Sequence, residues 1–341
     1  MKKLLIRLTN WEYWPFSILY FPVFIYYGWL ALKNRSLFFF TAANPSIEFG
    51  GMLGERKSDI FKLIPEIYLP KTILIGKGDL ERAALFGEQI GFPLIAKPDI
   101  GERGTWVKKI NDQAELRSYT ETCPVDFLLQ ELVEMPIELG VFFIRYPNEN
   151  QGRVTSIVRK DFLKVTGDGR STVRQLLEKN PRAALTGNLN SEKHKWIETY
   201  VPKQSEDVLV EPIGNHCRGT KFLSDNHEID EGLNEAFNKL ADQIPVFYFG
   251  RFDLKCESYE ELRQLRNFKI LELNGAGAEP AHIYQPGYSL IKAYRDLFWH
   301  LGVLSDISAQ NRKNGHSYWS FKRGFRKWKS HQRYNRLLAS K

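Results

Sequence analysis

The sequence predicts an α/β (α+β) protein in which a strand-rich body follows a short segment of alternating helix and strand. Three observations predict it. The chain has 341 residues, with 43% hydrophobic and 26% charged residues, ordinary for a globular protein and enough for two or three lobes around buried cores. Residues 36–90 alternate short apolar runs with helix-period stretches. From Phe92 onward, short apolar runs separated by glycine-bearing loops dominate.

Residues 13–32 hold no charged residue, are rich in aromatics, and lie between Lys2, Lys3 and Arg7 on one side and Lys33 and Arg35 on the other. Glu12 and the lack of a small-residue cleavage site argue against a signal peptide. Pro15 and Pro22 interrupt any long helix, and the Tyr and Trp side chains favour an interface over a hydrocarbon centre. A span, a segment lying in the membrane surface and a buried docking element all stay open.

Residues 36–41 are expected to form a short buried strand ending at Asn44-Pro45. Gly50-Gly51 leads to a helix over 58–63, Pro65 and Pro70 bracket a turn, and 71–75 is a strand. A helix over 79–89 follows, with Asp79 as N-cap and Gly91 closing it.

The run 92–98 is an apolar strand that delivers Lys97 at its end. A polar loop over 99–105, punctuated by Gly101 and Gly104, then joins a strand over 106–110. Such a hairpin can fold over a triphosphate, because glycines allow close backbone approach, exposed amides donate to phosphate oxygens, and a lysine neutralises charge. The G-K-[ST] start of a Walker loop is absent.

A strand over 246–249 runs into Gly250-Arg251-Phe252-Asp253-Leu254, and alternation puts Arg251 and Asp253 on one face. In the strand 269–274, Glu272 and Asn274 share a face. The charged stretch 256–267 joins the two runs. Pairing them gathers Asp253, Glu272 and Asn274, hard oxygen donors of the kind that hold Mg²⁺ beside substrate phosphates. Asn274 then enters a glycine-rich loop over 275–278.

The succession of K-P with a glycine loop, an acidic hinge, R-F-D and E-L-N-G resembles the ATP-grasp superfamily, over residues 68–304. It is similar to D-alanine–D-alanine ligases and to the ligase part of cyanophycin synthetase. The resemblance implies an ATP-grasp fold, two α+β lobes holding ATP between them. It implies ATP and Mg²⁺, with Mn²⁺ as the alternative ion. Lys97 resembles the lysine on the α- and β-phosphates, and Gly101, Gly104 and Thr105 the loop that closes over them. The run 127–133 resembles the hinge whose backbone reads adenine, at Glu131, Leu132 and Val133, with Glu138 as the ribose-binding acid. Arg159 or Lys160 stands for the second nucleotide-binding lysine. Asp253, Glu272 and Asn274 match the magnesium ligands, and Arg251 matches the arginine that stabilises charge on the reacting carboxyl. His216, Arg218, Glu279 and His282 are candidates for contact with acyl phosphate, carboxylate or amine. The segment 165–173 resembles a V-G-D-G-x-S-T turn of cyanophycin-synthetase-like members, with Ser171 or Thr172 as helix cap.

The implied reaction is ATP-dependent joining of a carboxylate to an amine through an acyl phosphate, with release of ADP and phosphate. A kinase-like phosphotransferase, or a non-catalytic ATP-binding protein of the membrane surface, is the alternative. The short N-terminal region departs from D-alanine–D-alanine ligases, which argues against D-alanine as substrate and leaves small-molecule or lipid-linked partners.

The net charge of +8 resides in the tail. Residues 311–341 carry ten Lys or Arg and no Asp or Glu, leaving 38 basic against 40 acidic residues elsewhere. Phe321, Phe325 and Trp328 recur at helical spacing among these cations, the pattern of a basic amphipathic helix over 319–329 suited to a membrane surface. No nucleic-acid-binding motif accompanies the charge, so no nucleic-acid partner is expected. Three scattered cysteines without a C-x-x-C pair fit a reducing, cytoplasmic setting, on or near the inner membrane face. The expected organisation is an apolar segment over 1–35, a truncated N-terminal α/β domain over 36–90, a small lobe over 91–135, a large lobe with the metal site over 136–310, and the tail over 311–341.

Overall fold

The structure, a computed structural model, describes residues 11–102, 104–179, 192–211 and 220–339. After a 3-10 turn over Trp11–Tyr13, the first α-helices among the described residues are α1 (Phe16–Leu19) and α2 (Phe21–Lys33). Pro15 caps the first, and Pro22 sits in the first turn of the second, where its missing N–H costs nothing. Among the described residues no helix is long and apolar enough to cross a membrane.

Phe38 to Thr41 are buried as expected, but Leu37 is 48% exposed and the run forms no strand: a turn leads into a 3-10 helix over Phe39–Ala42. An apolar run alone does not separate a buried strand from a buried turn. The run is satisfied by its own hydroxyls, Ser36 Oγ accepting from the Phe38 amide at 3.2 Å and Thr41 Oγ1 donating to the Phe38 carbonyl at 2.7 Å, and asparagine side chains tie down the residues that follow. Asn311 Nδ2 donates to the Ala42 carbonyl at 2.8 Å, and Asn44 Oδ1 accepts from the Tyr248 and Phe249 amides at 3.0 and 3.1 Å.

Helix α3 (Lys57–Phe61) precedes strand β1 (Thr72–Ile75) and helix α4 (Leu80–Ile90), the latter capped by Asp79 and closed by Gly91. Strands β2 (Leu94–Pro98) and β3 (Lys108–Ile110), helix α5 (Gln113–Thr122) and strand β4 (Phe127–Glu131) complete a small lobe. Its antiparallel sheet runs β1-β4-β2-β3, so the single strand of the 36–90 segment is an edge strand of this sheet. One sheet face buries Leu94, Ala96, Phe127 and Leu129 against α4 and α5.

The large lobe contains β5 (Ile137–Ile144), β6 (Arg153–Asp161), the pair β7 (Leu163–Thr166) and β8 (Asp207–Glu211), and β9 (Lys221–Ser224). Helix α6 (Val173–Glu178) lies between β7 and β8, and Thr172, not Ser171, caps it through a reciprocal box with Gln175. Helix α7 (Glu231–Asp242), strand β10 (Phe249–Cys256), helix α8 (Tyr259–Arg263) and strand β11 (Phe268–Asn274) follow. Two sequence expectations shift here: the strand starts at Phe249, since Val246 has a left-handed backbone, and the 256–267 connection contains a helix capped by Ser258. Strand β3 likewise starts two residues late, after the left-handed Trp106.

The large sheet has the order β11-β10-β5-β6-β9. One face buries Leu139, Val141, Ile157, Phe252, Leu254 and Leu273 against α7 in the main core. The other lines the cleft at one end and at the other buries Phe142, Ile144 and Phe249 against Leu30, Phe39 and Leu304. Helix α9 (Leu290–Lys313) packs on α2 and the 3-10 turn, and helix α10 (Phe321–Ala339) ends with Leu338 inside the small-lobe core. The two glycine-rich stretches explain each other. The Ala276 and Gly277 amides donate to the Gly50 and Gly51 carbonyls at 2.9 Å. A Cβ on Gly51 would lie 2.7 Å from Gly275 Cα, so backbone rests directly on backbone.

Candidate active site

The inner faces of the two sheets enclose a cleft of about 480 Å³. Strand alternation decides what lines it. Register pairs Arg251 with Asn274 and Asp253 with Glu272, so all four side chains share the cleft face of β10 and β11, as alternation predicted. The next strands place Glu138 opposite Lys255 and Gly140 opposite Asp253, and Val158 and Lys160 continue this face on β6. From the small lobe come Ile95, Lys97 and Gln130, with Gly101, Gly104 and Thr105 at the mouth and Glu131, Leu132 and Val133 at the hinge.

Lys97 is buried. Its Nζ donates to Gln130 Oε1 and to the Leu271 carbonyl, both at 3.0 Å, so it links the lobes. Burial pulls its ammonium down to about 8, against the pull of Glu272. Lys160 Nζ pairs with Glu138 Oε1 at 3.0 Å, and although burial lowers it, Asp253 and Glu138 outweigh that and leave it raised. Arg159, the other candidate, points elsewhere and pairs with Asp225 at 2.8 Å. Burial raises the Asp253 carboxyl, yet Arg251 and then Lys160 pull harder and hold it below the usual carboxylate range. Glu279 lines the cleft, takes a hydrogen bond from Tyr284 at 2.8 Å, and offers its carbonyl to Arg251 Nη1 at 3.2 Å.

His282 does not reach the cleft. Its ring is enclosed by Ser156 Oγ at 2.7 Å and Asp296 Oδ2 at 3.2 Å, with Tyr288 beside it. His216 and Arg218 lie outside the described residues.

Lys57 and Glu55, on the cleft wall, and Gly140 behind it are among the residues that escaped the sequence reading. Lys57 pairs with Glu272 at 3.2 Å and donates to the Gly101 carbonyl at 2.8 Å. Buried Asp99 holds it there by accepting from Arg56 Nε and the Ser58 amide, each at 2.8 Å. Glu55 also lines the cleft, and burial raises its carboxyl. Gly140 leaves room for the Arg251–Asp253 pair, since a Cβ there would stand 3.1 Å from Asp253 Oδ1 and 2.9 Å from Val158 Cγ1. A lone glycine inside an apolar strand is the signal that could have found it. Nothing in the sequence around Lys57 singles it out.

Among the described residues no three His, Cys, Asp or Glu side chains gather as a metal cluster. The donor set on the cleft wall is instead two carboxylates, Asp253 and Glu272, and the Asn274 amide, whose Nδ2 donates to Asp253 Oδ2 at 3.2 Å. These are hard oxygen donors, which fit Mg²⁺ when substrate oxygens complete the shell.

Two α+β lobes thus face one another across a cleft with these residues on its walls. No protein-family model and no curated protein matches the chain. Among solved structures, it is similar to D-alanine–D-alanine ligase from Bacillus anthracis, with 16% identity, 76% of this chain and 68% of that chain covered, and a TM-score of 0.44. It is similar to the VanG D-Ala:D-Ser ligase from Enterococcus faecalis, with 15% identity, 74% and 61% coverage, and a TM-score of 0.44. The ATP-grasp ligase PsnB, complexed with a minimal precursor, gives 14% identity, 75% and 59% coverage, and a TM-score of 0.38. For two of the three, this chain spans less than two thirds of the matched structure.

Proposed function

We propose that the cleft binds ATP with Mg²⁺ or Mn²⁺ and that the protein is an ADP-forming ligase joining a carboxylate to an amine through an acyl phosphate. The observation that carries this reading is the convergence of Lys97 from one sheet with Lys160, Arg251, Asp253, Glu272 and Asn274 from the other on one cleft. A triphosphate needs cations on several sides, and a divalent ion needs hard oxygens beside them. A metal held by Asp253, Glu272 and Asn274 supplies Lewis acidity toward the phosphates. Lys97 and the amides of the Gly101–Gly104 loop bind phosphate oxygens. The hinge backbone at 131–133 receives adenine, and Glu138 the ribose.

The substrate carboxylate forms an O–P bond to the γ-phosphoryl group as its bond to ADP breaks. The amine then forms the C–N bond and gives up a proton to the departing phosphate, which leaves with the carboxyl oxygen. Arg251 offsets negative charge on the carboxyl, and loop closure excludes water. Glu279, at the end of the cleft beside Arg251, is placed to contact the incoming amine.

The test is ADP release from Mg-ATP over pooled amino acids, dipeptides and amines, with mass spectrometry of products. An amide product that disappears in Asp253→Ala supports the ligase. A phosphorylated product without an amide supports a phosphotransferase instead, and no ADP release in any pool, with or without anionic vesicles carrying lipid-linked amines and acids, overturns both.

A further inference from the structure

Residues 15–32 contain no charged side chain, and one side of the helices they form is spoken for. Leu19, Tyr20, Val23 and Leu30 are buried against the α9 side of the molecule. The outer side is apolar as well: Ile18, Phe21, Phe24, Ile25, Trp29 and Leu32 are 54% to 79% exposed. Helix α9 adds Ile291, 81% exposed. A helix apolar all round is ordinarily covered all round. With 13 residues, α2 is about 20 Å long, too short for a hydrocarbon core of about 30 Å.

A second face lies on α10. Phe321, Phe325 and Trp328 are exposed and stack in a row at 5.7 and 5.5 Å, with Lys329 Nζ 4.8 Å over Phe325. The helix carries seven Lys or Arg and no Asp or Glu. The two faces are joined: Tyr27 donates to the Leu37 carbonyl, Tyr318 donates to Asn34 at 2.8 Å, and Phe38 meets Phe321 with centroids 6.1 Å apart.

We propose that these faces form one docking surface for an anionic lipid bilayer. Apolar and aromatic side chains enter the headgroup boundary while Lys and Arg beside them meet lipid phosphates. A second copy is the poorer occupant, because burying this face in a dimer would bring the seven α10 cations of each copy into one interface with no acidic residue of α10 to offset them. The surface also touches the cleft wall. Tyr20 stacks on Phe16 at 4.2 Å and shares a 2.8 Å hydrogen bond with Tyr284, which in turn donates to Glu279. On the ligase reading above, the cleft therefore takes a substrate presented at the bilayer surface.

The test is flotation of the full chain with vesicles of phosphatidylcholine alone or mixed with phosphatidylglycerol. At least 10-fold more protein should float with the mixed vesicles, as expected of two co-operating signals, an apolar face and a basic patch. Ile25→Glu with Trp29→Glu should abolish flotation while ATP still raises the melting temperature. Lys322→Glu with Arg326→Glu, both exposed, should remove the preference for phosphatidylglycerol. Flotation of the variants like the parent, or no flotation of the parent, overturns the proposal. So does a parent dimer in sedimentation velocity that the Ile25→Glu, Trp29→Glu variant loses without lipid. Flotation needs no turnover, so failure of the ligase reading leaves this result readable.

Discussion

Arg251 and Asp253 stand two residues apart on β10 and meet side-on, Nε to Oδ1 at 2.9 Å and Nη2 to Oδ2 at 3.0 Å. The carboxylate is buried and the guanidinium nearly so, which makes the pair sensitive to loss of either member. Asp253→Ala should lower stability by about 3 kcal/mol, the usual cost of an uncompensated buried charge, and abolish ADP release. Replacing both residues together, Asp253→Leu with Arg251→Met, should recover most of that stability and none of the ADP release. Urea unfolding of the three proteins beside a nucleotide assay checks both halves. Equal activity loss without a stability difference would show that the pair is not electrostatically coupled.

Gly140 makes room for that pair. The atoms a Cβ would meet, Val158 Cγ1, Asp253 Oδ1 and Arg251 Cδ, are side-chain atoms that can shift by tenths of an ångström. Gly140→Ala should therefore fold, at a cost of about 1–2 kcal/mol, and displace Arg251 and Asp253 from their geometry. A fall in ATP affinity of about 10-fold, about 1.4 kcal/mol of lost binding, with an unchanged circular dichroism spectrum is the expected outcome of that displacement. Unchanged affinity would mean that the cleft tolerates movement of the pair.

Lys97 sets a pH dependence whose sign follows from its burial. Its pKa falls from an ordinary 10.5 to about 8 in the folded protein. Between those values the unfolded chain binds more protons, so this residue's contribution to stability rises with pH. The penalty is complete below pH 8 and gone above pH 10.5. Phosphate oxygens beside the ammonium favour its charged form, so ATP binding between pH 8 and 10.5 should take up a proton. Calorimetry at pH 9 in two buffers of different ionisation enthalpy measures the uptake, and Lys97→Met should remove it.

How far the sequence reveals this site depends on which physical rule carries each residue. A strand repeats every two residues, so the common face of Arg251, Asp253, Glu272 and Asn274 follows from the chain alone once the two runs pair. The same rule separates Lys160 from Arg159, but only when the cleft face of β6 is known from Val158. Burial without polarity carries less information: residues 36–41 look like a strand, yet they turn on their own hydroxyls, Ser36 Oγ accepting from the Phe38 amide and Thr41 Oγ1 donating to the Phe38 carbonyl, while Trp319, 278 residues away, donates its amide to Thr41 Oγ1. Lys57 is a residue of this second kind. Its place at the cleft depends on Asp99, which belongs to another part of the chain. His282 shows the converse, a chemically suggestive side chain whose neighbours Ser156 and Asp296 consume both ring nitrogens.

The C-terminal helix gives the last prediction. Along α10, Gly324 abuts the Phe38 ring, where a Cβ would stand 2.5 Å from the nearest carbon. Lys327 donates to the Gly54 carbonyl at 2.7 Å, and His331 lies 3.3 Å from Glu102 in the 99–105 loop. At its end, Leu338 is buried among small-lobe residues and its carbonyl accepts from Trp106 Nε1 at 3.0 Å. One helix thus spans the large-lobe side, the loop and the small lobe. Leu338→Ala should cost about 2–3 kcal/mol, as for a buried leucine whose site partly collapses. It should also free the far end of the helix from Trp106, so the KM for ATP should rise more than kcat falls. Gly324→Val, which lifts the helix at its other end, should reproduce the stability loss with a smaller effect on KM. Thermal melts with steady-state kinetics on both variants decide it. If the two variants change KM equally, the helix is holding the lobes together as a whole, with no separate hold on the loop.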